Sequence, residues 1–203
     1  MIATPPSLVL FDLDGVLVSY SHRIRCETLG AAIGRTHDAV FSALFDTGIE
    51  PQYDAGLIDN DAYLAALSDA LDCTIALPQW LAARSASMQC EPATCERIAA
   101  LAGRADVAVL TNNGPLVLDS LPARLTDVIP RERIFCSHVL GVSKPAPICF
   151  LRVVETLGHA PNRTLFLDDN FANVQGARSA GLQSEQVHAP GEIAGILRDY
   201  GLD

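Results

Sequence analysis

The chain has 203 residues, a length that fits one medium-sized domain or one domain carrying a small insert. Hydrophobic residues make up 49% of it, enough for a sizeable core, and the formal net charge of -10 argues against nucleic acid or an anionic membrane as a partner. No signal segment and no membrane-spanning apolar run are evident, so a cytoplasmic protein is expected. The six cysteines form no C-x-x-C pair, which disfavours zinc and thioredoxin-like sites and fits reduced, buried thiols.

The first predicted element is a strand over Ser7 to Leu13, a short continuous apolar run typical of a buried parallel strand. The stretch that follows, from Val18 to Cys90, shows no comparable strand pattern and is predicted to be helical. Its helices are expected at about 22–33, 36–45 with Thr36 as N-cap, 61–71 after Asp59, and 78–88.

Strands and helices alternate from residue 92 onward. Strands are predicted at 107–110, 133–136, 164–167 and, less clearly, 186–188, with helices at 92–102, 147–157 and 172–180. This order predicts an α/β fold with a doubly wound, mainly parallel sheet. We therefore expect an α/β core of residues 1–17 and 91–203, with residues 18–90 forming a small helical cap inserted after the first strand.

Polar residues follow the predicted strands, and the carboxyl ends of parallel strands meet at one crevice. After the first strand, Asp12 and Asp14 are two residues apart and should face the same side. Two neighbouring carboxylates repel and need a proton or a cation, and Mg²⁺ prefers oxygen ligands. A strand-ending Asp-Gly turn explains this pair about equally well when it is considered alone.

Three further clusters belong to the same expected crevice. Thr111 and Asn112 end the second strand and offer a hydroxyl and amides to phosphate oxygens, although helix capping is the commoner role. Lys144 is the single lysine beside thirteen arginines, and its point charge suits a site shared by a carboxylate and a phosphoryl group, whereas most lysines are solvated surface residues. Asp168 and Asp169 end another buried strand, where they could bind a metal or cap the next helix.

These motifs, in this order, resemble those of the haloacid dehalogenase-like hydrolases with a small helical cap. The resemblance rests on Asp-x-Asp-Gly-Val at Asp12, Thr-Asn at Thr111, Lys-Pro at Lys144 and Asp-Asp at Asp168. Within that superfamily, residues 166–177 and 53–67 are most similar to sugar-phosphate phosphatases of the alpha-glucose-1-phosphate type.

The resemblance implies a role for each motif residue. Asp12 would be the nucleophile that forms an aspartyl-phosphate, and Asp14 would protonate the leaving oxygen and then activate water. Thr111 and the Asn112 amide would hold the phosphoryl oxygens, and Lys144 would neutralise charge on the phosphoryl group and Asp12.

The resemblance also implies a Mg²⁺ cofactor. The ion would be held by Asp12, the main-chain carbonyl of Asp14 and the Asp168–Asp169 pair. Asp169 is favoured as the direct ligand, because it matches the commoner Gly-Asp form of the motif.

A phosphatase acting on a small phosphate ester, as a monomer or homodimer, is the leading functional hypothesis. In the family that the chain resembles, true haloacid dehalogenases lack the second aspartate of the first motif, so Asp14 disfavours that reaction. Phosphonoacetaldehyde hydrolases of the family need an extra cap lysine for a Schiff base, and Lys144 is the single lysine here. A phosphotransferase or mutase remains an alternative, since Arg23, Arg25 or Arg35 could serve as its basic cap residue. A non-catalytic binding or regulatory module of the same fold is the other alternative.

Substrate specificity is expected to come from the cap, which should close over the site like a lid. Tyr20, His22 and Arg23 follow the first motif closely and are the candidates. Tyr20 could stack on a ring and Arg23 could bind a second anionic group. For each of the three, a plain linker or helix-surface role is the alternative.

Overall fold

A computed structural model describes residues 5–202 and shows a five-stranded parallel sheet of Rossmann-like α/β type. The described residues form seven strands: β1 (Leu8–Phe11), β2 (Ser19–Tyr20), β3 (Met88–Gln89), β4 (Asp106–Thr111), β5 (Ile134–Cys136), β6 (Thr164–Asp168) and β7 (Gln183–Gln186). The large sheet has the order β5-β4-β1-β6-β7, and every neighbouring pair in it is parallel. The predicted fold class is confirmed.

Helices connect the strands and cover the sheet. Those before β3 are α1 (His22–Ile33), α2 (His37–Phe41), α3 (Ile49–Asp54), α4 (Asn60–Ala70) and α5 (Leu77–Ala86). Those after β3 are α6 (Pro92–Ala99), α7 (Ala123–Thr126), α8 (Ser137–Leu140), α9 (Pro147–Thr156), α10 (Phe171–Ser179) and α11 (Ile193–Asp199). Within residues 5–202, none of the helices is both long and apolar enough to cross a membrane.

The central strand β1 is buried on both faces. Val9 and Phe11 pack into one hydrophobic cluster, and Leu8 and Leu10 pack into another on the opposite side of the sheet. Alternate residues of a strand point to opposite faces, so a strand covered on both sides must be apolar throughout. This is why the first strand could be predicted from an unbroken apolar run, and why the polar Asp12 marks its end.

The insert, defined here as residues 18–90, has a hydrophobic cluster of its own. Tyr53, Tyr63, Leu67 and Trp80 belong to that cluster, which also takes in Leu116 from outside the insert. The two ends of the insert are joined by β2 and β3, which pair antiparallel. The expected N-cap at Thr36 is confirmed, because its side chain accepts a hydrogen bond from the Ala39 amide at 3.3 Å. The Asp59 side chain caps α4 in the same way and accepts from the Ala62 amide at 2.9 Å.

Several predicted elements need correction. The helix expected over 78–88 ends at Ala86, because Met88 pairs with Tyr20 in the two-stranded ribbon. The helix expected over 36–45 divides into α2 and a π-helical turn, Ser42–Asp46, and α3 was not predicted. The last strand, β7, lies earlier than the predicted 186–188, because its polar residues hid the strand pattern.

A close approach between α10 and the chain at Pro145 positions the loop that carries Lys144. Gly176 of α10 faces Pro145, and a Cβ atom at Gly176 would lie 2.1 Å from the Pro145 carbonyl oxygen. Such a contact requires backbone to move, so only glycine allows this packing.

We predict that Gly176→Ala lowers the free energy of unfolding by about 1–3 kcal/mol, the usual range for overpacking. The matched control is Gly195→Ala in α11, where the added methyl group meets open space and alanine favours helix by up to about 1 kcal/mol. Urea unfolding followed by circular dichroism measures both. Equal effects of the two substitutions would contradict the close-packing account.

Candidate active site

Three adjacent strands bring the predicted polar residues together. Thr111 and Asp168 are the last residues of β4 and β6, which flank β1 on either side. Asp12 directly follows β1, and its amide donates to the carbonyl of Leu167 at 2.8 Å. Because the strands are parallel and in register, their carboxyl ends place these side chains at one edge of the sheet.

Lys144 lies between two of the carboxylates. Its Nζ is 2.7 Å from Oδ1 of Asp12 and 2.6 Å from Oδ2 of Asp168, and the residue is only 4% exposed. Burial alone would lower the pKa of this ammonium group, but the attraction of Asp12 and Asp168 outweighs burial and raises it. Lys144 therefore stays charged and balances part of the negative charge of the crevice.

Asp168 is fully buried, and the hydrogen bonds of its two carboxylate oxygens hold this arrangement together. Besides Lys144, it accepts hydrogen bonds from Asn173 Nδ2 at 3.1 Å and 3.0 Å and from the Asn170 amide at 2.8 Å. These donors offset the cost of burying the charge. Asn173 thus links α10 to the end of β6.

Asn112 fixes the main chain at Lys144. Its side-chain amide donates to the Lys144 carbonyl and accepts from the Lys144 N–H, both at 2.9 Å. The side chain is therefore occupied, which leaves the main-chain amide of Asn112 as the group for the phosphate-binding role expected from the sequence.

Asp169 completes a cluster with Asp12 and Asp168, in which one oxygen from each carboxylate lies within 4.8 Å of the others. Burial raises the pKa of Asp12 to about 7, and burial together with the charge of Asp168 raises the pKa of Asp169. At Gly15, which has a φ of 85°, a Cβ would lie 2.4 Å from Oδ2 of Asp169, so glycine leaves room for that carboxylate. Carboxylates this close together repel one another, and a hard divalent cation that prefers oxygen ligands would relieve the repulsion.

Asp14 lies beside this cluster and contacts residues that the sequence analysis did not identify. Its Oδ2 accepts from Asn113 Nδ2 at 3.1 Å, and the same nitrogen donates to Thr111 Oγ1 at 2.7 Å. Oδ2 also pairs with Nη2 of Arg84, from α5 of the insert, at 2.5 Å. Asn113 follows the Thr-Asn motif directly and could have been included; Arg84 has no distinguishing sequence signal.

A cavity of about 270 Å³ opens beside Asp14 between the sheet edge and the insert. Tyr20 and His22 line it, together with the carboxylates of Glu50 and Asp54. Arg23 is not among the lining residues, because it is exposed on α1 and pairs with Glu27 at 3.0 Å. Burial raises the pKa of Asp54 to about 8.

Solved structures share this fold across nearly the whole chain. A Porphyromonas gingivalis protein, described as a predicted haloacid dehalogenase-like family hydrolase, superposes with a TM-score of 0.80 at 23% identity, covering 96% of this chain and 98% of that one. A haloacid dehalogenase family enzyme of Bacteroides thetaiotaomicron gives 0.81 at 20% identity, covering 96% and 100%. That enzyme was also solved in complex with magnesium and inorganic phosphate, at a TM-score of 0.76 and 21% identity, covering 89% and 93%.

Sequence comparison gives a curated relative and a family. A Mycobacterium tuberculosis protein named as a phosphatase is 37% identical over 97 residues, which is 46% of this chain and 44% of that protein. The match thus spans less than half of the relative's length. The model of the haloacid dehalogenase-like hydrolases matches residues 6–181, which is most of the chain. With its fold and its strand-end carboxylates, the chain belongs to the haloacid dehalogenase-like hydrolases.

Proposed function

We propose that this chain is a magnesium-dependent phosphatase that hydrolyses a small phosphomonoester through an aspartyl-phosphate on Asp12. The observation that carries the proposal is the Asp12 carboxylate, 2.7 Å from the Lys144 ammonium and within a cluster of three carboxylates at the strand ends. The phosphatase name of the mycobacterial relative and the magnesium and phosphate bound by the Bacteroides enzyme support it.

In the first step, an oxygen of Asp12 attacks phosphorus and the bond from phosphorus to the leaving oxygen breaks. The electron pair of that bond stays on the leaving oxygen, which takes a proton from the Asp14 carboxyl group and departs as an alcohol. Lys144 stabilises the negative charge shared by Asp12 and the phosphoryl oxygens, while Thr111 and the Asn112 amide orient those oxygens.

In the second step, water attacks the phosphorus of the aspartyl-phosphate and gives a proton to Asp14. The bond between phosphorus and the Asp12 oxygen breaks, which releases inorganic phosphate and restores the Asp12 carboxylate and the protonated Asp14 carboxyl group. The same side chain, Asp14, thus acts first as an acid and then as a base.

The residues that would hold Mg²⁺ are Asp12, Asp169 and the main-chain carbonyl of Asp14. Asp168 belongs to the same cluster, but its oxygens already bind Lys144, Asn173 and an amide, which favours Asp169 as the direct ligand. When bound, the ion supplies positive charge that offsets repulsion between the carboxylates and the anionic substrate.

We propose that the insert is the cap and that residues 5–17 and 91–202 form the core; residues 1–4 and 203 of the predicted core lie outside the described residues. The separate hydrophobic cluster of the insert and the β2–β3 ribbon at its ends support this division. The rings of Tyr20 and His22 and the carboxylates of Glu50 and Asp54 all line the cavity. Aromatic faces combined with hydroxyl-binding groups suit a sugar phosphate or a similar metabolite.

Hydrolysis is favoured over transfer by the placement of the three arginines considered for a transfer reaction. Arg23 pairs with Glu27, and Arg35 donates to the Leu71 carbonyl at 2.6 Å, so neither lines the cavity. Arg25 does line it, but it is bound to Glu50 at 2.7 Å. None of these three is therefore placed to bind a second phosphate, and Arg84, the other arginine that lines the cavity, is paired with Asp14.

We predict that the protein releases p-nitrophenol from p-nitrophenyl phosphate only with Mg²⁺ present, and that Asp12→Asn abolishes release because an amide is a poor nucleophile. Absorbance of the product measures the rate. Asp119→Asn, which removes a half-exposed carboxylate paired with Arg131, is the matched control and should keep wild-type activity. Metal-independent release, or an active Asp12→Asn variant, would contradict the proposal.

We predict that Lys144→Met costs about 3–5 kcal/mol of stability, because two buried carboxylates lose their shared cation. It should also lower kcat by about 10²–10³-fold, the usual cost of removing one positioned charge at the site of reaction. Urea unfolding and steady-state kinetics measure the two effects.

A double variant separates these effects. Adding Asp168→Asn to Lys144→Met removes one of the two uncompensated carboxylates and should restore part of the stability without restoring turnover. Near-normal turnover in the double variant would show that Lys144 has only a structural role.

A further inference from the structure

Arg84 enters the site from the insert and is almost completely buried, at 1% exposure. Its guanidinium carbon lies 4.3 Å from the centre of the Tyr20 ring, and its Nη2 binds Oδ2 of Asp14 and lies 3.3 Å from Oδ1 of Asn113. The aromatic face and these two oxygens fix the plane of the guanidinium group at the wall of the cavity.

The contact between Arg84 and Asp14 leaves one atom of each group unused. Among the described residues, neither Nη1 of Arg84 nor Oδ1 of Asp14 has a hydrogen-bond partner, although both atoms are buried. An arginine can bind a carboxylate through two parallel hydrogen bonds, but this pair forms only one. A buried polar atom without a partner costs about 1–3 kcal/mol, so two such atoms on contacting side chains indicate a group that binds there during the reaction.

We propose that Arg84 is a further catalytic residue, whose Nη1 binds the leaving-group oxygen of the substrate while Oδ1 of Asp14 gives that oxygen its proton. This inference rests on the proposed phosphatase function. An ester oxygen can accept from both groups, so one substrate atom satisfies both unpartnered atoms.

The chemistry of the first step explains why a cation is useful at this position. As the bond from phosphorus to oxygen breaks, its electron pair moves to the leaving oxygen, and negative charge develops there until the Asp14 proton arrives. A fixed guanidinium group stabilises that developing charge. Through Nη2, Arg84 also holds Asp14 in the orientation needed for the transfer, together with Asn113.

The inference predicts a dependence on the leaving group. Phenyl phosphate and p-nitrophenyl phosphate have similar shapes, but phenolate is the more basic leaving group and needs more help to depart. We expect Arg84→Lys to lower kcat/KM for phenyl phosphate by about 10²-fold, and that for p-nitrophenyl phosphate by less than about 10-fold. Lysine keeps the charge but has a single nitrogen, so it cannot bind Asp14 and the leaving oxygen as arginine does.

The control variant is Arg35→Lys, an arginine of the insert that bonds main-chain carbonyls and does not line the cavity. Arg35→Lys should not lower kcat/KM for phenyl phosphate more than kcat/KM for p-nitrophenyl phosphate. Thermal unfolding checks that each variant is folded, and Arg84→Gln takes the place of Arg84→Lys if the latter is not.

The outcomes separate the inference from the function it rests on. Equal loss on both substrates in a folded Arg84 variant, with the wild type active, would show that Arg84 is only structural and would overturn this inference alone. A wild type that matches Asp12→Asn on both substrates would remove the phosphatase function and the inference together.

Discussion

The ammonium group of Lys144 between Asp12 and Asp168 is the interaction on which the rest of the site depends. Three carboxylates at adjacent strand ends repel one another, and a buried cation is required before the strands can place them so close. Much of the surrounding structure serves to keep this cation in position. Asn112 binds its main chain, and Gly176 lets α10 pack against the following proline.

The site combines a part supplied by the sheet with a part supplied by the insert. Asp12 and Asp169 directly follow β1 and β6, and Lys144 lies in the loop between α8 and α9, so the proposed nucleophile and the carboxylates proposed to bind the metal come from outside the insert. Asp14 differs, because one of its oxygens contacts Arg84 of α5. Under the proposed function, forming the phosphoenzyme with a poor leaving group requires the insert to lie against the sheet. The chain would thereby couple substrate enclosure to acid catalysis.

Much of the fold and half of the site could be predicted from sequence, because both depend on local patterns. Buried parallel strands are continuous apolar runs, and a polar residue such as Asp12 or Asp168 that ends one must lie at the edge of the sheet. Lys144 could be recognised as a candidate because it is the single lysine in the sequence. Element boundaries were less accurate where backbone pairing decided them, as at Met88, whose strand partner is 68 residues away at Tyr20.

The remaining part of the site depends on side-chain directions that sequence does not record. The sequence contains thirteen arginines, and nothing in the pattern of its helix distinguishes Arg84 from the others. Its partner Asp14 lies 70 residues away in the sequence. Arg23 is next to His22 in sequence, yet α1 turns it to solvent while His22 faces the cavity. The side chain of Asn112 binds the Lys144 main chain, a contact that no local motif indicates.

Direct chemical trapping of the phosphoenzyme tests the central claim most directly. Enzyme mixed with Mg²⁺ and p-nitrophenyl phosphate would be quenched during turnover and treated with borohydride, which reduces an aspartyl-phosphate to homoserine, and the digest would be analysed by mass spectrometry. The account predicts homoserine at position 12, only in samples that received substrate. Homoserine at another aspartate, or turnover with position 12 unmodified, would contradict Asp12 as the nucleophile.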